Sequence, residues 1–385
     1  AGAGDDLGMA RVVVPPPDPF RPTFDPLSPA GAVTGQLRYV TENLEVEQTI
    51  EPVEAPRIVP PLSLTPHPER IVMRSGTSLP PLRIDARNNT GETIETRIRV
   101  GDAVAPLRLA PGNGTHIEVR VPTPTAGRYR LEIGAEGVAH GRVRSFAYDH
   151  IGRTGWIEPA VIEVLVADLA IPEGIRIGYV DGGGDRAGIR LAQLGMTVAP
   201  IEAADLAGDL SRFDTIVVGF RAFGTRRDLA ASRDRLHAFV RDGGHLVTQY
   251  HRPQDGWDAM RTPPARLAIG SPSVRWRVCD PTAPVTILAP DHPLLNWPNR
   301  IGADDWSGWV KERGLYFASS WHPAYEPLVA VSDPGEAPLE GGLISARIGA
   351  GRHTHVSLGL AQQMDALVPG AFRLFANLVQ GARRP

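Results

Sequence analysis

Four groupings of residues in this sequence could do chemistry. The first is Gly182-x-Gly184-x-x-Ala187, with Glu202 twenty residues beyond Gly182. Between a strand and a helix, such a turn lets a pyrophosphate approach the helix N-terminus while the acid holds a ribose. Here the third glycine is alanine, and Asp181 and Asp185 flank the turn. Two carboxylates beside a pyrophosphate repel it. The other reading is packing, in which small residues let the helix lie close to its strand.

The second grouping is Gln249-Tyr250-His251, at the end of an apolar run. Ligands of open α/β sheets sit at the carboxyl ends of strands. A nucleophile elbow there needs Cys or Ser, and this sequence offers Tyr250 and His251. The sole cysteine, Cys279, lies in Trp276-Arg277-Val278-Cys279-Asp280, which reads as a strand with a packed small side chain. With one cysteine, no disulfide within the chain and no thiolate metal cluster can form.

The third grouping is polar and titratable. His353-Thr354-His355 on a strand puts both rings on one face, where two metal ligands could sit. No third ligand accompanies them, so no metal is assigned. Asp304-Asp305 and Glu312 offer acid–base or sugar-binding groups, or a solvated loop with a helix cap. The fourth grouping is aromatic. Seven rings fall between Trp297 and Tyr325, among them Trp309. Flat rings beside Asp and Arg suit sugar faces, and they equally suit a local core. Taken as an active site at strand ends, the set is Arg221, Tyr250, His251, Asp305 and Glu312, with His355 nearby. His251 is then the base and Arg221 the anion anchor, with Arg221, Trp309 and His355 the ligand-binding candidates.

The elements that must position these groups come in three stretches. Residues 1–60 are proline-rich and hold a partial β segment around Gln36–Val40 and Leu44–Glu47. Residues 61–170 alternate apolar and polar at Leu82–Ala86, Ile94–Val100, Ile117–Val121 and Tyr129–Ile133, with turn signals between. Period two over short runs predicts an immunoglobulin-like β-sandwich. Residues 171–385 change to strand–helix alternation. Strands are expected at Ile175–Val180, Thr197–Pro200, Thr215–Gly219 and His245–Tyr250, and helices near Asp185–Leu194, Asp228–Val240 and Pro369–Val379. This predicts a flavodoxin-like α/β domain with a mostly parallel sheet.

A net charge of −3 gives no reason to expect nucleic acid or an anionic membrane as partner. No apolar run approaches the ~20 residues that span a bilayer. The chain opens Ala1-Gly2-Ala3-Gly4-Asp5-Asp6 without a basic or apolar leader pattern, as expected of a piece of something longer.

A resemblance adds to this reading. Ile177-Gly-Tyr-Val-Asp-Gly-Gly-Gly-Asp185 resembles the start of the class I glutamine-amidotransferase-like domain that follows LmbE/PIG-L-type deacetylase domains. Further segments keep the family's order: Phe213 to Phe223, Gly243 to Tyr250, Ala289-Pro-Asp-His-Pro-Leu-Leu295, Gly308 to Tyr316 and Val368 to Leu378. Upstream, Tyr148-Asp149-His150-Ile151 resembles the exit of the preceding sandwich. The family holds zinc through Ala-His-Pro-Asp-Asp-Glu, and none of the pairs at His67, His292 and His322 is followed by Asp-Asp. The resemblance therefore implies a non-catalytic accessory portion, with zinc belonging only to a deacetylase domain outside this chain. It also implies that catalytic domain as partner, a glycan or a second copy as further partners, and an exported or periplasmic setting. The amidotransferase nucleophile is absent too, as in ThuA-like proteins, which leaves a stand-alone sugar-modifying hydrolase as the alternative.

Overall fold

A computed structural model describes residues 35–41, 44–50, 59–148 and 151–382. Asp149 and His150 of the sandwich-exit motif lie outside them. The chain divides into two compact units. One takes the chain up to Arg70, Ser78–Thr123 and Tyr129–Glu163; the other takes Ile71–Thr77, Pro124–Arg128 and the chain from Val164.

Outside the two larger sheets of the β-rich region, Gly35–Thr41 and Leu44–Ile50 form an antiparallel hairpin. The first larger sheet has the order Ile151–Glu158, His140–Tyr148, Leu62–His67, Leu82–Asn88, Gly114–Val119. The second runs Arg70–Arg74, Ala160–Ala167, Gly127–Ala135, Ile94–Val100, Ala103–Leu109. Strict alternation sets which side chains are inside. Leu82, Ile84 and Ala86 are buried while Arg83 and Arg87 are exposed, and Ile94, Thr96, Ile98 and Val100 repeat the pattern. Asn88 is fully buried and donates to the carbonyls of Glu92, Leu109 and Ala110, which closes the turn after its strand.

The α/β unit is built on seven strands: β1 Arg176–Val180, β2 Thr197–Pro200, β3 Thr215–Val218, β4 His245–Gln249, β5 Tyr325–Pro327, β6 Leu343–Ile348 and β7 Gly351–Val356. Their order is β2-β1-β3-β4-β7-β6-β5. The pairs from β2 to β7 are parallel. The pairs β7-β6 and β6-β5 are antiparallel. Both faces are covered, so β3 and β4 are buried at every position. Ile177, Tyr179, Val217, Val247 and Val356 pack into one core with Phe372 and Phe375 of the helix Pro369–Leu378. Val180, Ile216, Val218, Leu246 and Ile344 pack into the other with Leu236, Phe239 and Val240.

Two expectations need correction. The helix expected over Asp228–Val240 is two helices, Arg227–Ala231 and Arg233–Arg241. Ser232 separates them, and its hydroxyl donates to the Asp228 carbonyl, a local bond that competes with helix propagation. Around Cys279 there is no strand, only one bridge from Val278 to Gly314, and the cysteine is exposed.

The central sheet also buries histidines. His245 Nδ1 donates to the Gln380 carbonyl (2.6 Å), and its Nε2 accepts from Thr354 Oγ1 (2.8 Å). Burial pulls its pKa down to about 3. Burial likewise lowers His251 and His292 to about 4, His355 to about 3, and His353 well below 6.5. Unfolding releases these rings to their ordinary pKa. Below it the unfolded chain takes up protons that the folded chain refuses. The neutral rings' stability is therefore fully present above 6.5 and is lost as pH falls toward the folded values of about 3 to 4. Each such histidine contributes a slope of up to about 1.4 kcal/mol per pH unit. Urea melts should show level stability above about pH 7 and a steep fall between about pH 6 and pH 4.5. A level profile through that range would mean that the imidazoles reach water.

Candidate functional site

The carboxyl ends of β1, β3, β4 and β7 meet at one end of the sheet. The chain reverses side between β1, which pairs β2, and β3, so a crevice is expected outside these ends. The glycine-rich turn after β1 does not open it. A Cβ on Gly182 would lie 2.3 Å from the Phe220 carbonyl oxygen, and one on Gly184 would lie 2.6 Å from the Phe220 ring. The β3 loop therefore fills the space that a pyrophosphate would need. Asp185 ties the two loops: it accepts from the Tyr179 hydroxyl and from the backbone N–H of Ala187 and Phe220. Gly188 lets the following helix approach the Tyr179 ring, where a Cβ would come within 2.9 Å.

Tyr250 follows β4 and stacks on Phe220 with centroids 4.6 Å apart and planes at 10°. Tyr316 meets it edge-on at 5.8 Å. Burial, helped by the neighbouring Tyr316, pushes the Tyr250 pKa up to about 12, so its hydroxyl keeps its proton. Beside these rings lies a cleft of ≈ 40 Å³ lined by Phe220, Gln249, Tyr250, Glu312, Ser357 and Gln362. That volume holds a water or a single substituent, not a sugar ring. A larger groove of ≈ 520 Å³ lies at the opposite, amino ends of the strands, by Arg176, Asp214 and Gly244, and contains none of the expected site residues.

The expected set separates on inspection. Tyr250 and Glu312 line the cleft. Arg221 lies next to it on the β3 loop, where its N–H donates to the Tyr250 carbonyl (3.0 Å). His251 is fully buried and cannot be the base. Its Nδ1 donates to the Gln249 carbonyl (2.7 Å) and its Nε2 accepts the Phe223 N–H (3.1 Å). Both nitrogens hold backbone in place. Asp305 is a turn cap: its carboxylate accepts from the Gly302 N–H (2.9 Å) and from Arg373 Nε (2.8 Å). Trp309 is 4% exposed, too little for a sugar platform. Its Nε1 donates to the Asp305 carbonyl, and its ring packs on Trp306 and under Arg313. The aromatic cluster is thus mostly core, with Phe317 and Tyr325 also buried.

His355 is fully buried as well, and it belongs to a chain of hydrogen bonds rather than to a ligand surface. Parallel register sets Thr248 opposite His355 and Leu246 opposite His353. Thr248 Oγ1 then lies 3.0 Å from His353 Nε2 and 2.9 Å from His355 Nδ1. His353 Nδ1 meets the Tyr325 hydroxyl at 2.5 Å, and His355 Nε2 meets Ser357 Oγ at 2.9 Å. The two rings do share a face, and the Thr248 hydroxyl lies between them. Among the described residues no group of three or more His, Cys, Asp or Glu is placed to hold a metal.

Sequence reasoning missed Thr248, Ser357 and Asp255. Ser357 was within reach, because it continues the alternation of His353 and His355. Asp255 is 3% exposed and accepts from two arginines, Arg221 Nε at 3.3 Å and Arg252 Nη2 at 2.8 Å. Burial opposes its charge, but the Arg252 side-chain and backbone donors outweigh that and hold its pKa below the usual carboxylate range.

No protein-family model matches the chain, and no curated protein matches it. Solved structures match about half of it. The exo-β-1,4-mannosidase Op5Man5 from Opitutaceae bacterium strain TAV5 is similar at 15% identity over 55% of this chain and 37% of its own, with a TM-score of 0.32. The β-galactosidase of Rahnella sp. R3 is similar at 14% identity over 56% and 32%, with a TM-score of 0.31. A putative GMP synthase protein from Thermoplasma acidophilum is similar at 11% identity over 54% and 96%, with a TM-score of 0.33. The chain thus spans about a third of the length of the two glycosidases.

The hydroxyl between the imidazoles can be tested directly. Thr248→Val keeps the shape and removes the partner that one nitrogen of each ring has among the described residues. Two unsatisfied buried groups should cost about 2–4 kcal/mol, read as a lowered urea midpoint with an unchanged slope.

Proposed function

We propose that this chain is the accessory portion of an LmbE/PIG-L-type zinc N-deacetylase. In this reading an immunoglobulin-like sandwich precedes a flavodoxin-like, amidotransferase-like domain, and the latter binds glycan at the strand ends. The observation that carries the proposal is the state of the β4 end. An amidotransferase needs an accessible nucleophile and a free base there. Here the position is filled by Tyr250, stacked on Phe220, and by His251, whose two nitrogens are both taken by backbone. The half-buried Phe220 ring, backed by Tyr250 and beside Arg221 and Glu312, can meet a sugar's apolar face and hydroxyls, while neither Tyr250, which keeps its proton, nor His251 can take a proton from water there. Because the cleft is small, the ligand lies across its mouth.

The alternative, a stand-alone hydrolase, has one observation in its favour. Ser357 Oγ lies 2.9 Å from His355 Nε2 at the cleft floor. Against it, Ser357 has no exposed surface, and burial holds His355 at about 3, too weak a base near neutrality.

Calorimetric titration of the full chain with N-acetylglucosamine oligomers tests the proposal. Saturable binding is expected, weakened at least ~10-fold in Phe220→Ala, since an aromatic contact is worth on the order of 1 kcal/mol or more. With zinc added, the chain alone should release no acetate. Acetate release abolished by His355→Gln would replace the accessory role with the hydrolase, and absence of binding to any oligomer would remove the glycan role.

A further inference from the structure

Asp255 is a single negative charge serving two positive ones. Its Oδ1 accepts from Arg221 Nε (3.3 Å) and from Arg252 Nε (3.2 Å) and Nη2 (2.8 Å). Its Oδ2 accepts the Arg252 backbone N–H (2.8 Å). Arg252 alone therefore satisfies this carboxylate from side chain and backbone. Arg221 adds one long bond, yet it holds a left-handed backbone, φ 55° and ψ 19°. Non-glycine residues rarely adopt that conformation, and its cost persists where function repays it. The approach is also tight. A Cβ on Gly224 would lie 2.9 Å from the Asp255 Cβ, so that position takes glycine to let the β3 loop reach the carboxylate.

The geometry leaves donors over. Among the described residues, neither Arg221 terminal nitrogen nor Arg252 Nη1 has a protein partner. Both side chains are about one-third exposed, at 36% and 32%. They flank Tyr250 at the carboxyl ends of β3 and β4. Glu312 is the carboxylate facing the neighbouring cleft, and Asp185 is already occupied by Tyr179 and two backbone donors. Two guanidiniums anchored on one carboxylate, with the Arg221 terminal nitrogens and Arg252 Nη1 left over, suit an oxyanion.

We propose that Arg221 and Arg252, preset by Asp255, form an oxyanion-binding subsite that takes a carboxylate or phosphate substituent on the ligand. This rests on the glycan-binding reading and narrows it to acidic sugars. Asp255 is the positioning residue.

The test is calorimetric titration of the full chain with four probes: glucuronate, glucose 6-phosphate, glucose and inorganic phosphate. Either acidic sugar should bind at least ~10-fold tighter than glucose, and the preference should weaken as salt rises. Glucuronate favoured over glucose 6-phosphate identifies a carboxylate as the natural group, and the reverse identifies a phosphate. Arg221→Gln should abolish the preference while Arg252 still neutralises Asp255, so that the fold survives. Arg221→Lys keeps the charge and loses the fork, and should restore less than half of the preference. Equal binding of glucose and the acidic sugars, unchanged in Arg221→Gln, overturns the subsite and leaves the glycan reading standing. Inorganic phosphate binding that needs Arg221, with no response to any sugar, keeps the oxyanion site and overturns its narrowing to acidic sugars. No response to any probe overturns the subsite, and the titration with N-acetylglucosamine oligomers then decides the glycan reading by itself.

Discussion

One buried hydroxyl organises the centre of the α/β unit. Thr248 Oγ1 can donate one hydrogen bond and accept others, and it lies between His353 Nε2 and His355 Nδ1. If it donates to His355, then His355 Nε2 must donate to Ser357, and His353 must donate to Thr248 and accept from Tyr325. If it donates to His353, every bond reverses. Both directions close on a backbone carbonyl, Tyr316 (3.3 Å from Ser357 Oγ) at one end and Ala265 (3.4 Å from Tyr325 Oη) at the other. Neither direction needs a charge. The arrangement therefore tolerates two fully buried imidazoles in an apolar sheet, where an unpaired one would be costly.

That neutrality shapes the site. Trp257 lies 5.2 Å from His355 and 5.4 Å from His251, and Phe223 is 5.3 Å from His251. Rings on several sides exclude water, and this is why burial leads the lowering of both pKa values. A histidine in such a cage fixes backbone and register; it does not take protons from substrates at neutral pH. The polar groups left to meet a ligand are those outside the cage: the Tyr250 hydroxyl, Glu312, and the arginines on Asp255.

Much of this architecture was legible in the sequence, for identifiable reasons. Alternation at Leu82–Asn88 and Ile94–Val100 is a direct image of one wet and one dry face. The continuous apolar run Thr215–Val218 is the image of a strand covered on both faces. The site was less legible, because its meaning lies in pairing across strands. His353-x-His355 announced two rings on one face, but what stands between them depends on the register against β4, 105 and 107 residues away. Trp309 looked like a platform because a ring's type does not reveal that Trp306 and Arg313 cover it. Arg221 and Tyr250 were found because strand ends are where open sheets place ligands. Asp255 was not, since a carboxylate in a short turn carries no local sign that two arginines converge on it.

The backbone adds a last argument about where function concentrates. Two of the non-glycine residues with positive φ, Arg221 at 55° and Tyr316 at 53°, contact the same residue, Tyr250, one at its carbonyl and the other at its ring. Each conformation costs on the order of 1 kcal/mol or more. Tyr316 uses it while its carbonyl accepts from Ser357 Oγ, at one end of the relay. Arg221 uses it while its N–H holds the Tyr250 carbonyl and its guanidinium reaches Asp255. The strain is thus local to the junction between the neutral interior and the charged rim. A sheet that needed only to bury its faces would have no reason to place it there. A rim that must hold oriented donors beside a packed ring does.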